Sequence, residues 1–189
     1  MLNNHIVKGL VEISKGLNQE CIALEEHTYR VLTEYEIQDE FYHYQMELFN
    51  DLGLNAYSDW VQEYIINNFV DVEWFVNLQH DMIVNDFDSM DEEEQLQFAQ
   101  SYGINDSEDA RDVYLEVMFE EDSVQWYRDA VGERDFRDVL LQYNLIDFDK
   151  VVDYILDEDG YEILAVYDGN MEIYYDEDTY MTYYVYILD

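Results

Sequence analysis

The residues of this sequence that could do chemistry are mostly carboxylates. Of its 189 residues, 46 are Asp or Glu and only 8 are Lys or Arg. Paired carboxylates supply the acid and the base of glycoside hydrolysis, but among 46 acids many pairs arise by chance. No single pair therefore indicates that reaction.

Acidic loops can also bind calcium, but this sequence lacks the required pattern. An EF-hand loop has acids at its first, third and fifth positions, glycine at the sixth and glutamate at the twelfth. Asp157, Asp159 and Gly160 do not fit this spacing, and Asp147 and Asp149 lack the glycine. No dedicated calcium site is predicted.

Histidine and cysteine add little catalytic potential. Glu40 and His43 have the spacing of one ligand pair of a di-iron bundle, which needs two such pairs and two more glutamates. Cys21 follows Glu20, whose charge opposes formation of a thiolate nucleophile. The sequence contains neither a Gly-x-Ser-x-Gly motif nor a phosphate-binding glycine loop. We therefore expect no metal, no cofactor and no enzymatic activity.

The distribution of charge indicates another role for the carboxylates. Residues 31–110 contain twenty acids and no Lys or Arg, residues 151–189 contain eleven acids and no base, and the formal net charge is −38. Ordinary solvated helix faces mix both signs, and solubility alone needs a net charge of only about 2–8. Such an excess repels nucleic acid and anionic lipid, so a cationic partner protein is expected.

The compartment is predicted to be cytoplasmic. Cys21 is the only cysteine, which excludes an internal disulfide and fits a reducing environment. Residues 1–17 show no signal-peptide pattern. No apolar run approaches the roughly 18 residues that would indicate a membrane-spanning helix.

The elements that must hold these carboxylates are mostly helical. Disordered acidic chains lack aromatics, whereas this chain has 19 Tyr, 9 Phe and 3 Trp and can form a core. An apolar period of 3.6 residues dominates residues 1–145. Glycines are predicted to end three helices: Gly53, Gly103 and Gly132. Serines are the predicted N-caps: Ser58, Ser89, Ser107 and Ser123. Glu92 stands three residues after Ser89, at a capping-box spacing.

The C-terminal residues 146–189 change to a β pattern after one more helix. Asp168-Gly169 is a hairpin signal, and three segments are rich in β-forming residues: Tyr161–Tyr167, Met171–Tyr175 and Tyr180–Leu188. The predicted fold class is α+β, with an acidic helical body at 1–145 and a C-terminal helix with a small three-stranded antiparallel sheet at 146–189.

The predicted partner-binding residues are the acids at the element junctions and along one helix. On the helix that starts at Ser107, acids recur every three or four residues, which places them roughly 4.5–6 Å apart along the axis. One DNA strand has a phosphate about every 3.4 Å, so two neighbouring stripes are needed to approach its charge density. The full set is Asp86, Asp88, Asp91, Glu92, Glu93, Glu94, Asp106, Glu108, Asp109, Asp112, Glu116, Glu120, Glu121, Asp122, Asp157, Glu158 and Asp159.

With these acidic zones in view, the sequence resembles the DNA-mimic antirestriction and anti-CRISPR proteins of phages and mobile elements, of the Ocr and ArdA type. The resemblance is one of composition over the whole chain: extreme acidity, few bases and many aromatics. It implies an inhibitor that occupies the cationic nucleic-acid-binding site of a defence protein in the host cytoplasm, either a CRISPR effector or a restriction-modification enzyme. It assigns no role to individual residues.

Two other functions fit the same composition. An acidic immunity protein or chaperone would bind one basic partner through a localised cluster, and a halophilic protein would carry its charge as an adaptation to salt. Residues 1–30 have a net charge of only −1. We therefore expect this segment either to pack internally or to form a homodimer contact.

Overall fold

The computed structural model describes residues 3–104, 107–165 and 169–189, without the side chains of residues 107 and 108. Over these ranges the fold is mostly helical α+β, with nine α-helices and one antiparallel sheet. The predicted fold class is confirmed, although the sheet has four strands rather than three.

The described helices are α1 (Asn4–Leu17), α2 (Glu34–Leu52), α3 (Asp59–Phe69), α4 (Val72–Ser89), α5 (Glu92–Ser101), α6 (Ser107–Met118), α7 (Ser123–Val131), α8 (Glu133–Gln142) and α9 (Phe148–Asp159). The strands are β1 (Cys21–Leu24), β2 (His27–Thr33), β3 (Met171–Asp176) and β4 (Met181–Ile187). Short 3-10 helices lie at Gly53–Ala56 and Tyr161–Leu164.

The chain forms two compact units. The sheet unit contains Met1–Asp51 and Phe148–Asp189, and the helical unit contains Leu52–Asp147. This division differs from the predicted one, which assigned residues 1–145 to a single helical body. The N-terminal segment lies in the sheet unit because β2 pairs with β4 of the tail, from Tyr29 opposite Ile187 to Thr33 opposite Tyr183.

The sheet has the strand order β1-β2-β4-β3, and helix α1 covers one of its faces. Apolar residues of α1, among them Val7 and Leu10, are buried in one cluster with Val31 of β2 and Val185 of β4. Within each strand the cluster takes every second residue, Tyr29 and Val31 in β2 and Tyr183 and Val185 in β4, so these side chains share one face of the sheet.

The opposite face of the sheet contacts α2. Tyr186 Oη donates a 2.6 Å hydrogen bond to Glu40 Oε1, and the guanidinium of Arg30 donates to the other oxygen of that carboxylate. Burial and the hydrogen bond to Glu40 raise the pKa of Tyr186. Glu40 is thus bonded to two neighbouring strands, whereas the Nδ1 atom of His43 lies 2.7 Å from the backbone oxygen of Asp39.

The prediction of a strand at Tyr161–Tyr167 is wrong where the structure describes it. Tyr161–Leu164 is a 3-10 helix, and the Tyr161 ring packs edge-on against Phe41 and Tyr184. The Ala165 backbone N–H donates to the Glu162 oxygen within this turn, at 3.0 Å, and not to a neighbouring strand. The Asp168 half of the predicted hairpin lies outside the described residues.

The hairpin of β1 and β2 was missed because its turn lacks the usual residues. Glu25 and Glu26 connect the two strands, and Glu25 has a positive φ of 57°. Hairpin turns with positive φ favour Gly, Asn or Asp, so a glutamate pair gives no turn signal. The predicted strands Met171–Tyr175 and Tyr180–Leu188 are confirmed as β3 and β4, with bounds shifted by a residue.

The helical unit is packed around aromatic side chains. Phe75 of α4 contacts Tyr127 of α7 and Phe136 of α8, with ring centroids 5.2 and 5.5 Å apart. A second cluster joins α4, α5 and α6 through Phe87 and Tyr114, whose centroids are 5.3 Å apart. Helices α4 to α6 therefore share one core.

An ion pair connects α1 to β3 in the sheet unit. Lys15 Nζ lies 2.6 Å from Asp176 Oδ2, and the same carboxylate accepts hydrogen bonds from Thr179 Oγ1 and the Asp178 backbone N–H. The hydrogen bonds from Lys15 and Thr179 lower the pKa of Asp176 to about 2 from its ordinary 3.8. Because the folded pKa is the lower one, Asp176 stabilises the fold above pH 3.8, and this stabilisation is lost as the pH falls to about 2.

We expect Asp176→Asn to lower the free energy of unfolding at pH 7, because the variant loses the ionised acceptor of Lys15 and Thr179. The difference from the unsubstituted protein should shrink as the pH falls through about 2, where Asp176 becomes protonated in the folded protein. Urea denaturation at both pH values measures it. Asp178→Asn removes the same charge from the same turn and should not destabilise the protein; an equal loss there would contradict the assignment.

Candidate anionic surface

The predicted contact acids lie mostly in the helical unit. Every one whose side chain the structure describes is exposed. Asp106 lies outside the described residues, and the side chain of Glu108 is not described. The acids at 157–159 end α9, which belongs to the sheet unit.

Helix α6 carries an acidic row on its outer side. Ala110 and Tyr114 are buried against α4 and α5, and three exposed acids recur on the remaining face at intervals of three and four residues. We call these acids, Asp109, Asp112 and Glu116, the α6 stripe. Glu120 is exposed just beyond the end of the helix. The predicted stripe is therefore present on a helix whose opposite side is packed.

The end of α4 is fastened to α6 through two of the predicted acids. Arg111 of α6 donates to both oxygens of Asp88, at 3.1 and 2.9 Å. Tyr114 Oη donates to Asp86 at 2.5 Å, and this hydrogen bond and burial raise the pKa of Tyr114 to about 12. The charge of Asp88 is partly compensated by Arg111, so Asp88 contributes less net field than an acid without a cationic partner.

The acids before and within the first turn of α5 act as caps. Asp91 is the N-cap, with its carboxylate accepting from the Glu93 and Glu94 backbone N–H groups, and Glu94 accepts from the Asp91 backbone N–H in return. The predicted capping box of Ser89 and Glu92 is therefore wrong by two residues. Ser89 is instead the last residue of α4, because the carboxylate at Asp91 accepts two N–H groups at once.

The start of α7 repeats this arrangement. Asp122 is the N-cap and accepts from the Gln125 backbone N–H at 2.9 Å, so the predicted N-cap Ser123 is the first residue of the helix. Glu121 and Asp122 line a cleft of about 660 Å³ opposite Asp59 and Glu63 of α3. The structure thus brings two predicted acids together with two that were not predicted.

Sequence reasoning missed the α3 side of this cleft. Asp59 and Glu63 are four residues apart, which is the signal of a shared helix face, but nothing in the sequence places that face beside α7. Arg128 also lines the cleft. Arg128 is one of only 8 bases and is easily noticed in the sequence. The sequence does not reveal, however, that it lines the same cleft as four carboxylates.

An apolar groove adjoins the acids of α4 and α6. It has a volume of about 480 Å³ and is lined by Met82, Asp86, Tyr114 and Met118 among others. Met82 and Met118 are each 49% exposed, which is high for such side chains in a folded protein. Flexible methionines adapt to varied partners, so this groove can accept an apolar anchor beside the anionic surface.

Comparison with known proteins does not add to the description of this surface. No family model matches the chain, and neither a curated protein nor a solved structure matches it. Among the described residues, no three His, Cys, Asp or Glu side chains are arranged to hold a metal ion. None of the described helices is long and apolar enough to cross a membrane.

The bond between Tyr114 and Asp86 should help to fix α6 on α4. We expect Tyr114→Phe to lower the free energy of unfolding by about 1 kcal/mol, since it removes one hydrogen bond to a partly solvated carboxylate. Chemical denaturation measures the change. Tyr102→Phe alters an exposed tyrosine of the same unit and should have no effect; equal effects of the two substitutions would refute the role of this bond.

Proposed function

We propose that the protein is a DNA mimic that inhibits a nucleic-acid-binding protein by occupying its cationic groove. The observation that carries the proposal is the α6 stripe, a row of exposed carboxylates on a helix whose other side is buried in an aromatic core. Such a core holds the charges in a fixed array, as recognition of a regular ligand requires.

The charge density of this surface supports the proposal. Successive acids of the α6 stripe rise by about 4.5 and 6 Å along the helix axis, more sparsely than the phosphates of a DNA strand at about 3.4 Å. The exposed Glu92 and Glu93 of α5 lie on a helix that contacts α6. These two acids stand in the first turn of α5, so they add charge to the α6 stripe and bring the surface closer to the density of one strand.

Apolar contacts supply the affinity that exposed charges lack. Exposed ion pairs contribute only about 0.2–1 kcal/mol each, and tight interfaces depend on a few buried anchors. The groove lined by Met82 and Met118 lies beside Asp86, in the same helices as the acids. The charges would steer the encounter, and the groove would hold the complex.

The partner class follows from the charge and from the compositional resemblance. A protein with a net charge of −38 is attracted to the Lys and Arg residues that normally neutralise phosphates. CRISPR effectors and restriction-modification enzymes have such grooves, and both act in the host cytoplasm. The protein would act there as a stoichiometric inhibitor and not as an enzyme.

Competition with DNA tests the proposal directly. We expect binding to a purified restriction-modification enzyme or CRISPR effector to weaken steeply with salt and to be displaced by duplex DNA. Substituting the α6 stripe as Asp109→Asn, Asp112→Asn and Glu116→Gln should weaken binding roughly tenfold, since three ion pairs of about 0.5 kcal/mol are lost. Calorimetry or surface plasmon resonance measures both effects.

A matched variant separates local contact from total charge. Glu47→Gln, Asp51→Asn and Asp153→Asn remove three exposed acids from the sheet unit and should change the affinity far less. Binding that duplex DNA does not displace would rule out the mimic. Complete loss of binding on neutralising one cluster would favour the immunity protein or chaperone, because a distributed surface loses affinity gradually.

Salt dependence of folding excludes or supports the halophilic alternative. We expect the protein to be folded at low salt and its melting temperature to rise with added NaCl, because screening reduces repulsion among the carboxylates. Circular dichroism across a salt series measures both. A chain that is unfolded without molar salt would show that its charge is an adaptation to solvent.

A further inference from the structure

The cleft between α3 and α7 has features that folding does not explain. Its rim carries four exposed carboxylates, Asp59, Glu63, Glu121 and Asp122, against the single guanidinium of Arg128. Of these, only Asp122 has a capping role within the cleft. Acids alone do not make a binding site, so the buried groups of the cleft are decisive.

Two residues that line this cleft each have a buried polar atom that is unsatisfied. Ser123 is 2% exposed, and its Oγ atom has no hydrogen-bond partner among the described residues. Nη2 of Arg128 is likewise buried and unpaired within the described part of the chain. An unpaired buried polar group costs roughly 1–3 kcal/mol, so both atoms would gain from a ligand in the cleft.

The guanidinium of Arg128 is held in place by stacking. Its carbon Cζ lies 5.2 Å from the centroid of the Phe136 ring, which is within the range of a cation–π contact. This contact fixes the cation without using its N–H donors. The unpaired Nη2 atom of Arg128 can donate to an acceptor, and Ser123 Oγ can accept from a donor.

We propose that the cleft receives an arginine side chain of the partner protein together with that residue's backbone carbonyl. The proposal rests on the function proposed above, which requires a basic partner. An incoming guanidinium has five N–H donors in a planar fork, enough to bind the rim carboxylates and Ser123 Oγ together. The carbonyl of the same residue accepts from Arg128, whereas a free cation has no acceptor for Arg128 and a simple anion has no charge that suits the carboxylates.

The ligand must be both cationic and an acceptor. Four carboxylates against one guanidinium repel a simple anion such as phosphate, although Arg128 alone would attract it. A metal ion satisfies the carboxylates but leaves the Arg128 donor unpaired. A basic residue within a peptide satisfies both groups at once.

The test uses N-acetyl-arginine-amide as the probe, titrated into the full-length protein and followed by NMR of backbone amides. We expect saturable shifts at the start of α7, around Ser123 and Gln125. The neutral analogue N-acetyl-citrulline-amide, which has nearly the same shape, should produce little shift at equal concentration. Equal shifts from the two analogues, or the same shifts from Mg²⁺ at matched ionic strength, would overturn the proposal.

Variants locate the site and separate it from the α6 stripe. Glu63→Gln with Glu121→Gln should weaken arginine binding roughly fivefold, whereas Asp112→Asn with Glu116→Gln removes equal charge and should leave it nearly unchanged. Asp122 is left intact because it caps α7. Equal losses from the two pairs would indicate general cation attraction and would refute a cleft site.

The Ser123→Ala variant distinguishes a role of Ser123 in binding from a role in folding. The substitution should weaken arginine binding at least twofold without lowering the free energy of unfolding, because it removes a buried hydroxyl that has no partner in the described fold. Loss of stability with unchanged binding would overturn the role of Ser123. If arginine binds here but DNA does not displace the partner protein, the cleft stands and the mimic function fails.

Discussion

Repulsion among carboxylates is the main unfavourable interaction that this fold must overcome. Two unit charges 10 Å apart in water repel by about 0.4 kcal/mol before screening, and 46 acids against 8 bases create many such pairs. Burial of apolar area must outweigh the sum. The chain meets this requirement with aromatics, whose large buried faces form the contacts of Phe75 with Tyr127 and of Phe87 with Tyr114.

Three of the eight Lys and Arg residues connect distant segments of the chain. Lys15 joins α1 to β3, Arg30 joins β2 to α2, and Arg111 joins α6 to α4. Each uses an acid from another element as its partner, which leaves little positive charge for a basic patch. Arg128 differs from these three, since it stacks on Phe136 and its Nη2 atom has no hydrogen-bond partner among the described residues.

Periodicity predicted the helices well, because their apolar faces repeat within the chain and need no knowledge of the partner element. Gly53 and Gly132 also have the positive φ expected of a glycine after a helix. The sheet was predicted less completely: its central pair joins β2 to β4, more than 150 residues later, and no local pattern reports that pairing. The acids of the α6 stripe could be predicted from their spacing within one helix. The cleft could not, because it depends on the packing of two helices, α3 and α7, that are distant in the sequence.

Some acids stabilise the helix in which they lie and others destabilise it, and folding alone explains only the first kind. Carboxylates at the starts of α5 and α7 interact favourably with the helix dipole and cap free N–H groups, so Asp91, Glu94 and Asp122 need no partner protein to explain them. Asp112 and Glu116 are a like-charge pair four residues apart, which destabilises a helix by about 0.2–0.5 kcal/mol. Glu116 also lies in the last turn of α6, where the dipole disfavours an anion and no base compensates it. Acids that are kept in positions where they weaken their own helix are the ones whose presence a cationic partner best explains.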